Sequence, residues 1–141
     1  MKVLFDSNVI IDAISARPLS NGSSRDLFCL VASSKVDGYL VSKQITDIHY
    51  TLRKYIPSET RRREFISFLL SAFHIVSLEK EDLQNALALG MDDYEDAVLA
   101  SSASRCGLDF IVSANQKDFL SSPVPAFLPE EALRQAKSQS S

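Results

Sequence analysis

Residues 2–12 read KVLFDSNVIID. Val3, Leu4 and Phe5 form an apolar run that stops at Asp6. Val and Phe suit a pleated, half-buried surface, and the run is too short for a helix face. Residues 2–5 therefore predict a buried strand with Asp6 at its C-terminal end. Val9, Ile10 and Ile11 then open a segment that packs back. In a parallel sheet, ligands sit outside the carboxyl ends of the strands. Asp6 and Asn8 would lie on that edge, so function turns on what else the chain delivers there.

Working outward, residues 17–24 (RPLSNGSS) are a loop by composition. Ser23 or Ser24 would cap a helix running to about residue 36. Asp37-Gly38 reads as a turn and residues 39–41 as a second buried strand. Ile45, Ile48 and Leu52 recur at helical spacing within residues 43–55. Pro57 ends that helix, because the residue before proline avoids the helical region. Ser58-Glu59 opens the next helix, to about residue 72. Residues 74–76 are a third strand. Residues 79–89 are a helix closed by Gly90. Asp92 or Asp93 caps a helix that runs to Cys106 and ends at Gly107. Residues 110–113 are a fourth strand, and Ala126-Phe127 a short fifth. A helix with proline at its first position covers residues 129–136. Strands and helices alternate throughout. The pattern predicts a single α/β domain over residues 1–136, a three-layer sandwich with a mostly parallel central sheet and helices on both faces. Residues 137–141 would be a frayed tail.

The bulk properties narrow the field. At 141 residues the chain forms one domain with a real core. A formal net charge of −3 gives no global basic signal for nucleic acid, although a local patch would suffice. Cys29 and Cys106 lack metal or redox spacing and read as two reduced, buried thiols. The N-terminus lacks the pattern of a secretion signal. The longest apolar run, residues 65–76, is interrupted by Ser67, Ser71 and His74 and is too short to span a bilayer. A cytoplasmic protein with no membrane association is expected.

The carboxylates carry the functional reading. Asp6 follows the first strand, and Asp47 lies early in the helix after the second. Asp93 and Asp96 open one helix and, three apart, share a face. Asn115 and Asp118 follow the fourth strand. Gathered acids repel, so some must protonate or recruit a cation. Oxygen donors without a His or Cys cluster suit magnesium or manganese. Such an ion activates water and stabilises a phosphodiester during in-line displacement. Singly, each acid has an ordinary explanation: a polar turn, an N-cap, or a first-turn acid favoured by the helix dipole. The functional reading rests on four separate stretches reaching one edge. His74, within an apolar strand, reads as a satisfied core residue, and Asp92 and Glu95 as solvated. Arg61, Arg62 and Arg63 form the densest basic run. They read as an exposed helix face that can also meet phosphates, joined by Lys43, Arg53 and Lys54.

The opening VLFDSNVIID, the middle ITDIHYTL, the block DYEDAVLASSASRCGLDFIVSANQKDF and a late Pro-Glu-Glu together resemble a PIN domain, the nuclease fold of VapC-like toxins. They fall in the family's order over nearly the whole chain. The resemblance implies strand order 3-2-1-4-5 and an acidic metal site at the C-terminal edge. It implies magnesium- or manganese-dependent cleavage of RNA, a homodimer, and an antitoxin partner. Carried over, Asp6, Asp47 and Asp96 stand as the first three acids. Asn115 takes the fourth position, with Asp118 close behind. Asn8 and Ser113 match polar positions that orient the acids or the substrate. Two departures follow: Asp47 where glutamate is commoner, and Asn115 where aspartate is common. Asp118 or Asp93 would have to substitute for the lost charge.

The expected protein is thus an endoribonuclease, the toxin of a toxin–antitoxin pair, with Asp6, Asp96 and Asp118 holding the metal. A non-catalytic PIN-like binding module with a decayed site is the alternative, favoured by Asn115. A receiver-type phosphoacceptor domain fits less well. It wants an acidic pair after the first strand, where Asp6 is followed by Ser7, and an acceptor Asp after a middle strand.

Overall fold

The computed structural model describes residues 1–16 and 18–139. Its centre is a five-stranded sheet in the order β3-β2-β1-β4-β5, built from β1 (Lys2–Phe5), β2 (Asp37–Val41), β3 (His74–Val76), β4 (Phe110–Val112) and β5 (Ala126–Phe127). Every pairing is parallel. The strand order implied by the family resemblance is the one observed.

β1 lies in the middle and is covered on both faces, so its apolar residues run on without alternating. The pleat sends neighbours to opposite sides. Val3 and Phe5 join a core with residues of α1 (Ser7–Ile14), α2 (Ser23–Ala32), α3 (Ser42–Thr51), α4 (Glu59–Ala72) and α7 (Pro129–Gln139). Leu4 faces the other way, onto Leu99, Ala100 and Ala103 of α6 (Tyr94–Arg105). Below α6 packs α5 (Lys80–Ala86), through Ala86 against Ala97 and Val98. The three-layer prediction holds, with helices on both faces.

Several boundaries differ from the sequence expectation. α2 ends at Ala32, not near residue 36. The Ser33 hydroxyl bonds back to the Cys29 carbonyl at 2.9 Å, and Ser34 takes a left-handed φ of 61°. The turn therefore falls before Asp37, and Gly38 is a strand residue paired with Val3. A Cβ at Gly38 would stand 2.8 Å from the Phe73 ring and from Val31, so glycine serves close approach here rather than a turn. The helix expected over residues 43–55 is α3 followed by a 3-10 turn over Leu52–Lys54. α7 continues to Gln139, past the expected end at residue 136, and the last two residues of the expected frayed tail lie outside those described. The loop after α1 is held by Asp12, whose carboxylate accepts from the Leu19 N–H and the Ser20 hydroxyl, both at 2.6 Å. Arg17 lies outside the described residues.

Three side-chain expectations are corrected. His74 is not a core residue: β3 is an edge strand, and the ring stacks on Tyr39 at 4.7 Å with its side chain 59% exposed. Cys29 is exposed on the outer side of α2, and Cys106, at the end of α6, is half-buried, so neither is a sealed core thiol.

Candidate active site

The C-terminal ends of β1, β2 and β4 form one edge, and α1, α3 and α6 begin or pass there. Asp6 terminates β1 and precedes the first turn of α1. Its Oδ2 accepts a hydrogen bond from the Ser113 hydroxyl at 2.8 Å and a long one from the Asn8 side-chain amide at 3.4 Å. Ser113 is fully buried just past β4. Its Oγ also accepts from the Asn115 backbone N–H at 3.0 Å, while Asn8 Oδ1 accepts from the Ala114 N–H at 3.3 Å. Asn8 and Ser113 thus both touch the Asp6 carboxylate. Burial pushes the Asp6 carboxyl above its ordinary range. The Ser113 hydroxyl and the backbone N–H groups of Asn8 and Ser7 oppose this, and the charge of Asp93 adds to it.

Asp96, in the first turn of α6, lines the same cleft as Asp6 and Asp47, a hollow of about 360 Å³. Its carboxyl is pushed up to about 6, first by burial and then by the charges of Asp6, Asp93, Asp118 and Glu95. The hollow thus carries the carboxyls of Asp6, Asp47, Glu95 and Asp96 on its lining. Asp93 is the N-cap of α6, accepting from the Asp96 N–H at 2.9 Å, so its structural role is filled as the sequence allowed. Asp118 shares a second, neighbouring cleft with Asp92, Asp93 and Lys117, close enough to act on Asp96 but not in the same hollow.

The remaining candidates divide. Asp47 stands at the cleft rim with its carboxylate 3.1 Å from Lys43 Nζ, and Lys43 also lies 4.0 Å from Glu95. Asn115 lines a different hollow, beside Asp12 and Glu130. Arg62 is engaged by the fold. Its guanidinium reaches Glu59 and donates to the carbonyls of Ile56 and Pro57 at 2.6 and 2.8 Å. Arg63 also pairs with Glu59, at 2.9 Å, whereas Arg61 is exposed beside Tyr55. Among the described residues, no three His, Cys, Asp or Glu side chains stand close enough together to hold a metal ion by themselves.

Gln44 is the residue that sequence reasoning passed over. It is 2% exposed and ties two strand ends together. Its Oε1 accepts from the Val41 N–H at 2.8 Å, and its Nε2 donates to the Phe5 carbonyl at 2.8 Å and the Ser7 hydroxyl at 3.1 Å. The peptide just before Asp6 is thereby locked to α3. One signal was present: Gln44 lies four residues before Ile48, a polar side chain on the apolar stripe of its helix.

The profile of the PIN domain matches residues 2–117. The chain is 26% identical over 135 residues to Ribonuclease VapC1 of Aquifex aeolicus (strain VF5), covering 92% of each. Among solved structures it resembles a toxin–antitoxin complex from Klebsiella pneumoniae, with TM-score 0.67, 22% identity, and 90% of this chain and 97% of that one covered. It also resembles VapBC2 from Rickettsia felis bound to a promoter DNA fragment, with TM-score 0.68, 18% identity, and coverage of 91% and 98%. At those identities the structural likenesses speak for the fold alone. No helix among the described residues is long and apolar enough to cross a membrane.

Proposed function

The chain belongs to the PIN domain family, and from that premise we propose that it is an endoribonuclease hydrolysing RNA phosphodiester bonds with a bound magnesium or manganese ion. The observation carrying this is that Asp6, Asp47 and Asp96 line one cleft at the strand ends, where burial and then the charges of Asp6, Asp93, Asp118 and Glu95 raise the Asp96 carboxyl to about 6. Repulsion of that kind is relieved by a cation. The relative named Ribonuclease VapC1 supports the same reaction class.

The donor set fits a hard ion. The cleft offers carboxylate oxygens, with no His or Cys among its lining residues. Magnesium commonly keeps several waters and takes only one or two protein carboxylates. That agrees with the absence of a three-residue cluster among the described residues. Asp6 and Asp96 would hold the ion, with Asp47 and Asp118 acting on its water shell. When bound, it would supply positive charge at the phosphate oxygens and ease deprotonation of water. The protein's own part is orientation. Ser113 and Asn8 fix Asp6, Gln44 fixes the strand end that carries it, and Lys43 puts a cation at the rim for an incoming phosphate.

The neighbours that are toxin–antitoxin complexes support a toxin role and an antitoxin partner. A second reading, a binding module without catalysis, is favoured by one observation: position 115, next to the Ser113–Asp6 pair, carries an amide and brings no charge to the acids. Incubation of the full chain with labelled single-stranded RNA separates the two. The nuclease reading expects cleavage that needs manganese and stops with a chelator. No cleavage over a wide manganese range would leave the binding module.

A further inference from the structure

The acid cleft does not end at Asp47. It shares Ser7 and Thr51 with a second hollow of about 510 Å³, which Asn8 and Tyr55 also line. That hollow shares Tyr55 with a third, of about 480 Å³, ending at Arg61. The three lie in series from the carboxylates along the end of α3 and the 3-10 turn after it.

Two exposed tyrosines stand along this line. Tyr50 is 68% exposed and Tyr55 46%, while Leu52 between them is fully buried and anchors the segment. The Arg53 guanidinium lies 4.8 Å above the Tyr50 ring, holding it from one side. Arg53, Lys54 and Arg61 are exposed and, among the described residues, have no carboxylate within ion-pair distance. Their neighbours Arg62 and Arg63 are both taken up by Glu59. Three unpaired cations thus stand along this line, and Lys117 lies on the other side, in the cleft of Asp118.

That placement answers an electrostatic difficulty. A cluster of carboxylates in a chain of net charge −3 repels a polyanion. Unpaired cations leading up to it supply the attraction that the acids remove. Exposed rings interleaved with such cations form the stacking-and-phosphate pattern of single-strand recognition. A duplex would keep its bases stacked on one another and out of reach of the rings.

We propose that the three hollows form a track for single-stranded RNA, with Tyr50 and Tyr55 stacking on bases, Arg53, Lys54 and Arg61 meeting phosphates, and the scissile bond delivered to the acid cleft. The proposal rests on the ribonuclease reading above and adds the direction from which substrate enters.

The chain contains no tryptophan, so Tyr55→Trp would install its only indole on the track. The probe is a fluorescein-labelled, mixed-sequence oligoribonucleotide, single-stranded or annealed to its complement, added to the full chain in chelator so that binding is read apart from cleavage. The expected results are quenching of the indole by the single strand, and affinity lowered about tenfold by Tyr50→Ala and by Tyr55→Ala. Arg53→Gln and Arg61→Gln should each reduce the slope of log affinity against log salt by about 0.7. All four positions are exposed, and unchanged thermal unfolding checks that the variants fold. RNA that binds as a single strand and is cleaved with manganese, but with affinity and KM unmoved by these variants, would overturn the track and leave the nuclease reading standing. Binding that depends on the tyrosines without any cleavage would support the track and remove the nuclease. Variants that leave RNA affinity alone but weaken self-association would assign the surface to a second copy and overturn the proposal. Failure to bind RNA at all would overturn both.

Discussion

The hydroxyl of Ser113 donates to the Oδ2 of Asp6 at 2.8 Å across 107 residues of chain. This bond joins the ends of two neighbouring parallel strands, β1 and β4, at the edge where the acids collect. It also opposes the burial that pushes the Asp6 carboxyl up.

Ser113→Ala removes that opposition. The Asp6 carboxyl should then rise further. Removing the donor from a buried carboxylate costs about 1–2 kcal/mol. The expected outcome is a lower denaturation midpoint in urea and a manganese-supported cleavage rate whose acid limb moves to higher pH. An acid limb that stays in place would separate Ser113 from the titration of Asp6.

Asp96 gives a pH prediction with a definite sign. Its folded carboxyl titrates at about 6, above the ordinary 3.8. The folded protein therefore holds this proton more tightly than the unfolded chain. The stability it contributes is complete below about pH 4 and is lost as pH rises through about 6. Asp96→Asn should thus make the metal-free protein more stable than wild type at pH 7. Solvent screens this half-exposed group, so the gain is about 1 kcal/mol. Urea unfolding in chelator from pH 4.5 to 8 should show the gap opening across that window. Manganese should close it by stabilising the wild type alone.

Gln44→Leu keeps the volume and deletes the polar bridge. The Phe5 carbonyl and the Val41 N–H would lose their partners in a buried place. A loss of about 3 kcal/mol is expected, from the cost of leaving buried backbone groups unpaired. Cleavage should fall as well, through Asp6, which the Phe5 carbonyl immediately precedes. A drop in stability with no change in kcat would make Gln44 purely architectural.

Arg105 and Asp82 form the fold's buried ion pair, away from the acids. Arg105 Nε reaches Oδ1 at 2.7 Å and Nη2 reaches Oδ2 at 3.0 Å, and Asp82 is fully buried. Arg105→Met should cost about 3 kcal/mol by stranding that carboxylate. Arg105→Met with Asp82→Asn should recover part of it. Thermal unfolding of the two variants reads the difference.

The sequence announced this fold where local signals were strong. The runs at residues 3–5 and 110–112 had the unbroken apolar character of strands covered on both sides. Ser58, Asp93 and Gly107 punctuated helices where they do in the structure. What it could not announce depended on distant neighbours. Gly38 read as a turn because nothing local shows that Phe73 and Val31 press against it. His74 read as core because a short strand does not say whether it sits at an edge. At the site, the convergence of Asp6 with Asp96 was legible only through the family resemblance, since a helix, not a strand, precedes α6. Which hollow Asn115 lines, and the engagement of Arg62 with the loop carbonyls of Ile56 and Pro57, are matters of side-chain direction that spacing does not encode.

Direct titration of manganese into the full chain, followed by the ion's own paramagnetic signal, tests the central claim. The account predicts saturable binding to the wild type, with proton release below about pH 6, and loss of that binding in both Asp6→Asn and Asp96→Asn. Saturable binding that survives both substitutions, or none in the folded wild type, would contradict it.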